Sequence, residues 1–199
     1  MAAEAGLVWP TRMTEELARQ SHVLIGAVTE LGGAIGWVTP PTRAETDEWL
    51  ESVFASIAAG DGALCTAWRD GRLVALGGWL RDQVPYFRHL AELVKIMVDP
   101  RARGARLGEF VTRELIASAA AAGIETLILG VRGNNHLAIQ LYEELGFTEW
   151  GRLPDVIEVG DERFDDVRMY LKLSRPAHLV WRGSHPSGPG SSPRRRQPG

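Results

Sequence analysis

Three stretches of this chain combine residue types and spacings that could support chemistry. The first is Val98-Asp99-Pro100-Arg101-Ala102-Arg103-Gly104-Ala105-Arg106-Leu107-Gly108, which lies between an apolar extended run and a helical pattern. Such a junction aims unpaired backbone N–H groups and the positive end of a helix dipole at one spot, which attracts an anion without a dedicated side chain. Gly104 and Gly108 let the backbone approach a phosphate closely, and Arg101, Arg103 and Arg106 add charge and forked donors. The Gly104-to-Gly108 spacing does not fit a dinucleotide fingerprint, and a purely structural turn would have the same composition. The second stretch is LAELVKIMV, where Glu92 is a charge in an otherwise apolar strand. Period two places Glu92 and Ile96 on one face, with Lys95 available as an ion-pair partner. The third runs from Asn135, an ordinary helix N-cap, to Tyr142, one residue past a Leu137/Leu141/Leu145 stripe. There a phenol flanks the core and still reaches a cleft.

Other reactive types carry less. His89 reads as a strand-edge histidine, an alternative base at most. Cys65 has no nearby His or acid pattern and reads as core, not nucleophile. The five histidines show no metal-ligand spacing.

The elements that must position these residues follow from periodicity. Leu17, Val23, Leu24, Ala27, Val28 and Leu31 form one helical face, and Pro40-Pro41 then breaks the chain. Thr46 or Asp47 caps a second helix carrying Leu50, Phe54 and Ile57. Residues 63–68 and 72–80 are apolar runs around Arg69-Asp70-Gly71, a hairpin signal. A strand over 90–98 precedes a helix over 107–122, then come a strand over 124–131 and a helix over 136–145. Strands over 147–151 and 163–173 close the pattern. After an uncertain first strand the order is α-α-β-β-β-α-β-α-β-β, an α/β mix.

Two of these stretches share a resemblance. Leu93-Val94-Lys95-Ile96-Met97-Val98-Asp99-Pro100 with Arg103-Gly104-x-x-x-Gly108 resembles the acetyl-CoA signature of the GNAT acetyltransferases. Asn135-His136-Leu137-Ala138-Ile139-Gln140-Leu141-Tyr142-Glu143-Glu144-Leu145-Gly146-Phe147 is similar to that family's Asn-x-x-Ala-x-x-Leu/Phe-Tyr-x-x-x-Gly-Phe at every defined position. The likeness covers residues 89–173, and 63–88 by element order. AELVKIMV, ARGARLG, the LPD turn and the Trp37/Pro40 segment look similar to tabtoxin-resistance-type small-molecule acetyltransferases.

The resemblance implies a GNAT-like acyl-CoA N-acyltransferase fold, a mixed central sheet with flanking helices, and acetyl-CoA as the acyl donor. It implies that backbone of Ile96, Met97 and Val98 pairs with the pantetheine arm, beside Asn135 and Ala138. It implies that the amides of Arg103, Gly104, Ala105, Arg106, Leu107 and Gly108 hold the pyrophosphate. Arg106 stands where the family has a glycine; its N–H is retained, and the cradle survives if the local φ is negative. Tyr142 is implied as the acid for the departing thiolate, Glu92 as the base, and Asp155 in the LPD turn as substrate-binding. The expected reaction moves an acetyl group to the amine of a small molecule. Alternatives are a protein or peptide amine as acceptor, or an inactive CoA-binding module.

Composition bounds the rest. A chain of 199 residues with 45% hydrophobic and 24% charged content suits one globular domain, expected over 1–173. Residues 174–199 hold five arginines and neither acid nor lysine, so the net −3 leaves −8 on residues 1–173. An acidic body is a poor polyanion binder, which argues against a nucleic-acid partner and suits a cationic amine. The tail is rich in Pro, Gly, Ser and Arg and is expected to be disordered. No apolar run is long enough to span a membrane. MAAEAGLVWPTR lacks a signal-peptide pattern and Cys65 is the single cysteine, so a cytoplasmic location is the default. A homodimer is common among resembling proteins.

Overall fold

The computed structural model describes residues 5–33, 35–102 and 106–173, so the expected tail lies outside the described residues. In chain order the elements are β1 (Gly6–Val8), α1 (Glu15–Glu30), α2 (Arg43–Ala58), β2 (Gly62–Arg69), β3 (Arg72–Arg81), β4 (Leu90–Val98), α3 (Leu107–Ala121), β5 (Thr126–Arg132), α4 (His136–Glu144), β6 (Thr148–Val159) and β7 (Glu162–Lys172). The seven strands form one sheet in the order β1-β2-β3-β4-β5-β7-β6. All neighbours are antiparallel except β4 and β5, which run parallel across the α3 crossover.

Local chemistry sets the boundaries. Asp70 and Gly71 take φ of 49° and 71°, the backbone of a two-residue hairpin turn, and β2 and β3 pair around them. The cap of α2 is Thr42, not Thr46 or Asp47. Thr42 Oγ1 accepts from Glu45 N, and the Glu45 carboxylate accepts back from Thr42 N, a reciprocal box that no later residue matches. Thr46 is buried within the helix and donates to the Thr42 carbonyl. In α1 the buried face is Leu17, Ala18, Ser21, Leu24, Ile25 and Val28. Val23 points away at 100° from its neighbours and Leu31 lies past the helix end, so both are exposed. Leu137 is likewise exposed, but Leu145 packs against the core with Ala138 and Ile139, and Tyr142 is the one buried residue of α4, so only part of the leucine stripe is seated.

The sheet carries a core on each face. One cluster joins β2–β5 and β7 to Leu107, Val111, Leu115 and Ala119 of α3 and to Tyr142. The other joins Leu64, Leu73, Leu76 and Met97 to α1 and α2. The sixth strand runs well past Gly151, through Leu153-Pro154-Asp155, with a bulge before Ile157. Pro154 is tolerated there because β6 is the sheet edge, where a missing N–H breaks no ladder. Asp155, at φ 56°, therefore sits in a bulged strand and not in a turn.

Candidate active site

β4 and β5 are hydrogen-bonded only where Leu90, Ala91 and Glu92 face Thr126, Leu127 and Ile128. Beyond Glu92 the two strands part. The rest of β4 is paired on its β3 side alone, so its backbone groups on the other side face a gap. A cavity of about 770 Å³ fills this gap, lined by Val94–Val98 from β4, Leu129–Arg132 from β5, and Asn135, Ala138 and Tyr142. Its far wall is the α1–α2 connection, with Trp37 and Trp49. An exposed edge of N–H and C=O groups inside a cleft is a template for an extended ligand bearing amides.

A bulge in β4 decides which side chains enter. Gly78 pairs with Val94 but Leu76 with Met97, so one extra residue sits between them, and Lys95 takes φ of 50°. The face therefore switches. Leu93 and Ile96 both pack on the α3 side, whereas Met97 joins the α1–α2 side. The expectation that Glu92 and Ile96 share a face is corrected: period two holds only for an unbroken strand. Glu92 lines the cavity with its side chain 45% exposed, its carboxylate 3.7 Å from Arg168 Nη1. Arg168 is also held by Asp166 at 2.7 Å. It lies over Gly130, where a Cβ would stand 3.3 Å from the guanidinium carbon. Lys95, the ion-pair partner suggested by sequence, turns away from Glu92 and donates to the Ile35 carbonyl at 2.5 Å.

Tyr142 is 8% exposed, packs its ring 5.8 Å from that of Phe147, and lines the cavity. Burial pushes its phenol up to about 12, so the hydroxyl keeps its proton. Among the described residues it has no hydrogen-bond partner, so this proton is free for a ligand. Asn135 caps α4, its side chain accepting from Ala138 N, and both residues line the cavity.

Of the anion loop, Arg103, Gly104 and Ala105 lie outside the described residues. Arg106 is the N-cap of α3 at φ 53°, ψ 22°, which overturns the condition of a negative φ. This is the left-handed backbone a glycine takes freely and an L side chain takes at a cost of about 1 kcal/mol. The Arg106 side chain is ion-paired with Glu109 at 2.6 Å. Among the described residues no side chain caps the first turn of α3. At Gly108 a Cβ would meet Val98 and Leu141 at 3.6 and 3.8 Å, ordinary contacts, so the protein itself does not demand glycine there.

Other candidates fall outside the cavity lining. Asp155 is exposed, and β6 lines the cavity with Ile157 and Val159 instead. His89 is exposed at the start of β4 and acts through its carbonyl, which accepts from Glu125 N and Thr126 N. Cys65 is fully buried, and burial pushes its thiol up to about 12, the reverse of an activated nucleophile. Among the described residues no three His, Cys, Asp or Glu side chains gather as metal ligands. No helix among them is long and apolar enough to cross a membrane. Sequence reasoning missed Trp49, Asp166 and Arg168 as cavity residues, because only the sheet order brings Asp166 and Arg168 of β7 beside Glu92, and only the packing of α2 brings Trp49 to Lys95.

A parted pair of parallel strands with a buried phenol beside the gap defines a site for an extended amide-bearing ligand. A model of the acetyltransferase (GNAT) family matches residues 32–147, and the chain belongs to that family, an enzyme class. Over 132 residues it is 38% identical to the [ribosomal protein bS18]-alanine N-acetyltransferase of Escherichia coli, covering 66% of this chain and 86% of that protein. Over 81 residues it is 33% identical to a candidate phosphinothricin acetyltransferase of Bacillus subtilis, covering 41% of this chain but only 49% of that one, about half its length. Among solved structures, a phosphinothricin acetyltransferase from Sinorhizobium meliloti in complex with acetyl-CoA superposes with a TM-score of 0.73 at 21% identity, over 94% of this chain and 98% of that one. At that identity the likeness speaks to the fold.

Proposed function

We propose that this protein transfers the acetyl group of acetyl-CoA directly to the amine of a small molecule, in the cytoplasm. The observation that carries the reading is the gap beyond Glu92 and Ile128, with the β4 backbone on one side and Tyr142 on the other. Ile96, Met97 and Val98 offer main-chain groups to the pantetheine amides, beside Asn135 and Ala138. Residues 103–108 receive the pyrophosphate; the left-handed Arg106 keeps its N–H there. Bound acetyl-CoA supplies an activated thioester carbonyl and a thiolate leaving group.

Glu92, directly or through one water, takes a proton from the acceptor's ammonium and frees the nitrogen lone pair. As the C–N bond forms, an N–H near Met97 meets the oxyanion. As the C–S bond breaks, the Tyr142 hydroxyl protonates the departing thiolate. The acylated nitrogen sheds its second proton, directly or through water, to the Tyr142 oxygen, and Glu92 releases the first proton to solvent. The Arg168 guanidinium, anchored by Asp166, keeps the Glu92 carboxylate turned to the cavity. Much of the rate gain comes from holding two reactants together. A small acceptor is favoured over a peptide because Trp37, Trp49 and the Ile157/Val159 hairpin wall the acceptor side. The relative that acts on a ribosomal protein keeps a protein amine as the alternative. Asp155, exposed on β6, would serve only an acceptor reaching past this wall.

Isothermal titration of acetyl-CoA into the purified protein, beside free CoA and dephospho-CoA, tests the donor. Saturable one-site binding is expected. Thiol release with small amines should then fall roughly 100-fold or more in Tyr142→Phe and Glu92→Gln, the range for a lost general acid or base. No acetyl-CoA binding by a folded sample overturns the reading.

A further inference from the structure

Lys95 is a cavity charge that the reaction above does not use. Its φ of 50° at the bulge turns its side chain off the strand toward the α1–α2 connection. There Nζ lies 3.8 Å from the Trp37 ring centroid and 5.6 Å from that of Trp49, and it donates to the Ile35 carbonyl. Gly36, at φ 88°, completes the receptacle, because a Cβ there would stand 2.7 Å from Nζ. This is a built seat for an ammonium, beside the space where the acceptor must lie.

The seat leaves the charge half-answered. An ammonium has three donors; Ile35 takes one, and an indole face attracts the charge without accepting a directed bond. Among the described residues no carboxylate lies within ion-pair distance of Lys95, and Glu92, three residues earlier, is engaged by Arg168. The other cations of the lining are more exposed and more fully bonded: Arg168 has a carboxylate, that of Asp166, and Arg132 places two N–H groups on neutral oxygens, of Gly32 and Asn134, while lying 4.7 Å over the Phe164 ring. Burial without an acid brings Lys95 down to about 8, which marks a charge that the protein alone does not fully stabilise.

We infer that Lys95 is a specificity residue that receives an acidic group of the acceptor, while the acceptor's amine lies toward Glu92. The preferred acceptor is then an amine that also carries a carboxylate or similar oxyanion. Two opposite charges in one cavity that do not pair with each other fit such a zwitterion better than a simple cationic amine. A carboxylate at Nζ fills the remaining donors and supplies the missing countercharge.

This inference rests on the acetyltransferase reading, and the test separates the two. Glutamate, methionine and β-alanine are each compared with their methyl esters, which keep the amine and lose the negative charge, by thiol release from acetyl-CoA. In the wild type at least one acid is expected to exceed its ester about ten-fold in kcat/KM. In Lys95→Met the acid-to-ester ratio should collapse toward one, mainly through KM, whereas Lys95→Arg should retain part of the preference. A thermal melt confirms that each variant is folded. An ester preferred by the wild type, or acid and ester losing equally in Lys95→Met, overturns the inference, since the latter is what a purely structural clamp predicts. Acetyl-CoA binding with no acid of the set accepted also overturns it and leaves the enzyme reading standing. Failure of acetyl-CoA to bind overturns both.

Discussion

Tyr142 and Lys95 show how one cavity treats two ionisable groups. Burial disfavours charge in both cases, but for a phenol that means keeping its proton and for an ammonium losing it. Tyr142, pushed up to about 12, is thus an acid that stays loaded through neutral pH. Lys95, brought down to about 8, should leave a mark on stability. Between about pH 8 and its ordinary value near ~10.4 the unfolded chain binds more protons at this position than the folded one, so folding gains as pH rises through that window. Denaturant titrations at pH 7.5 and 10 should show the wild type gaining stability relative to Lys95→Met over this range. Parallel curves for the two proteins would remove the buried charge from the account.

At the scale of elements, the site depends on β4 being irregular. Its bulge sets Lys95 apart, moves Ile96 to the α3 side and brings Met97 against α1 and α2. Gly77 on β3 faces this irregularity. A Cβ there would lie 3.0 Å from both Ile96 Cγ1 and Leu115 Cδ1 and 3.3 Å from Val111 Cγ1. The contact is tighter than most packed side chains show, so Ile96, Leu115 and Val111 must give by a few tenths of an ångström. Gly77→Val should cost roughly 1–3 kcal/mol, the range for overpacking, read as a lower denaturation midpoint. Because the shift falls on Ile96, acetyl-CoA affinity should fall too, even though Gly77 touches no ligand in this reading. A Gly77→Val protein as stable as the wild type would show that the bulge relaxes freely.

For the whole molecule, Leu173 is, among the described residues, the last that packs on either apolar cluster. Strand β7 supplies Val167 and Met169 to the core between β5 and β6, so the fold cannot close without it. We expect a chain ending at Leu173 to melt within a few degrees of the full-length protein and to bind acetyl-CoA as tightly. A large loss in either measurement would give residues 174–199 a part in the fold or the site, and would end the division into one domain and a tail. The acidic balance of residues 1–173 belongs to this scale as well. The cavity differs from that balance, carrying Lys95, Arg132 and Arg168 against Glu92 and Asp166.

The sequence by itself determined the element order, the hairpin at Asp70-Gly71, the strand–helix junction between Val98 and Leu107 and the motif from Asn135 to Phe147. These are local matters of period, turn residues and spacing, and the GNAT family is legible in them. What it could not determine was anything that depends on pairing between distant strands. The bulge in β4 leaves no local mark, because an inserted residue shows only against the register of β3. Pro154 suggested a turn until the sheet order made β6 an edge, where proline is harmless. Trp37, Trp49, Lys95, Asp166 and Arg168 come from four separate segments, the α1–α2 connection, α2, β4 and β7, and only the tertiary packing gathers them around one cavity. Side-chain chemistry is written residue by residue, but which side chains share a space is decided by long-range contacts.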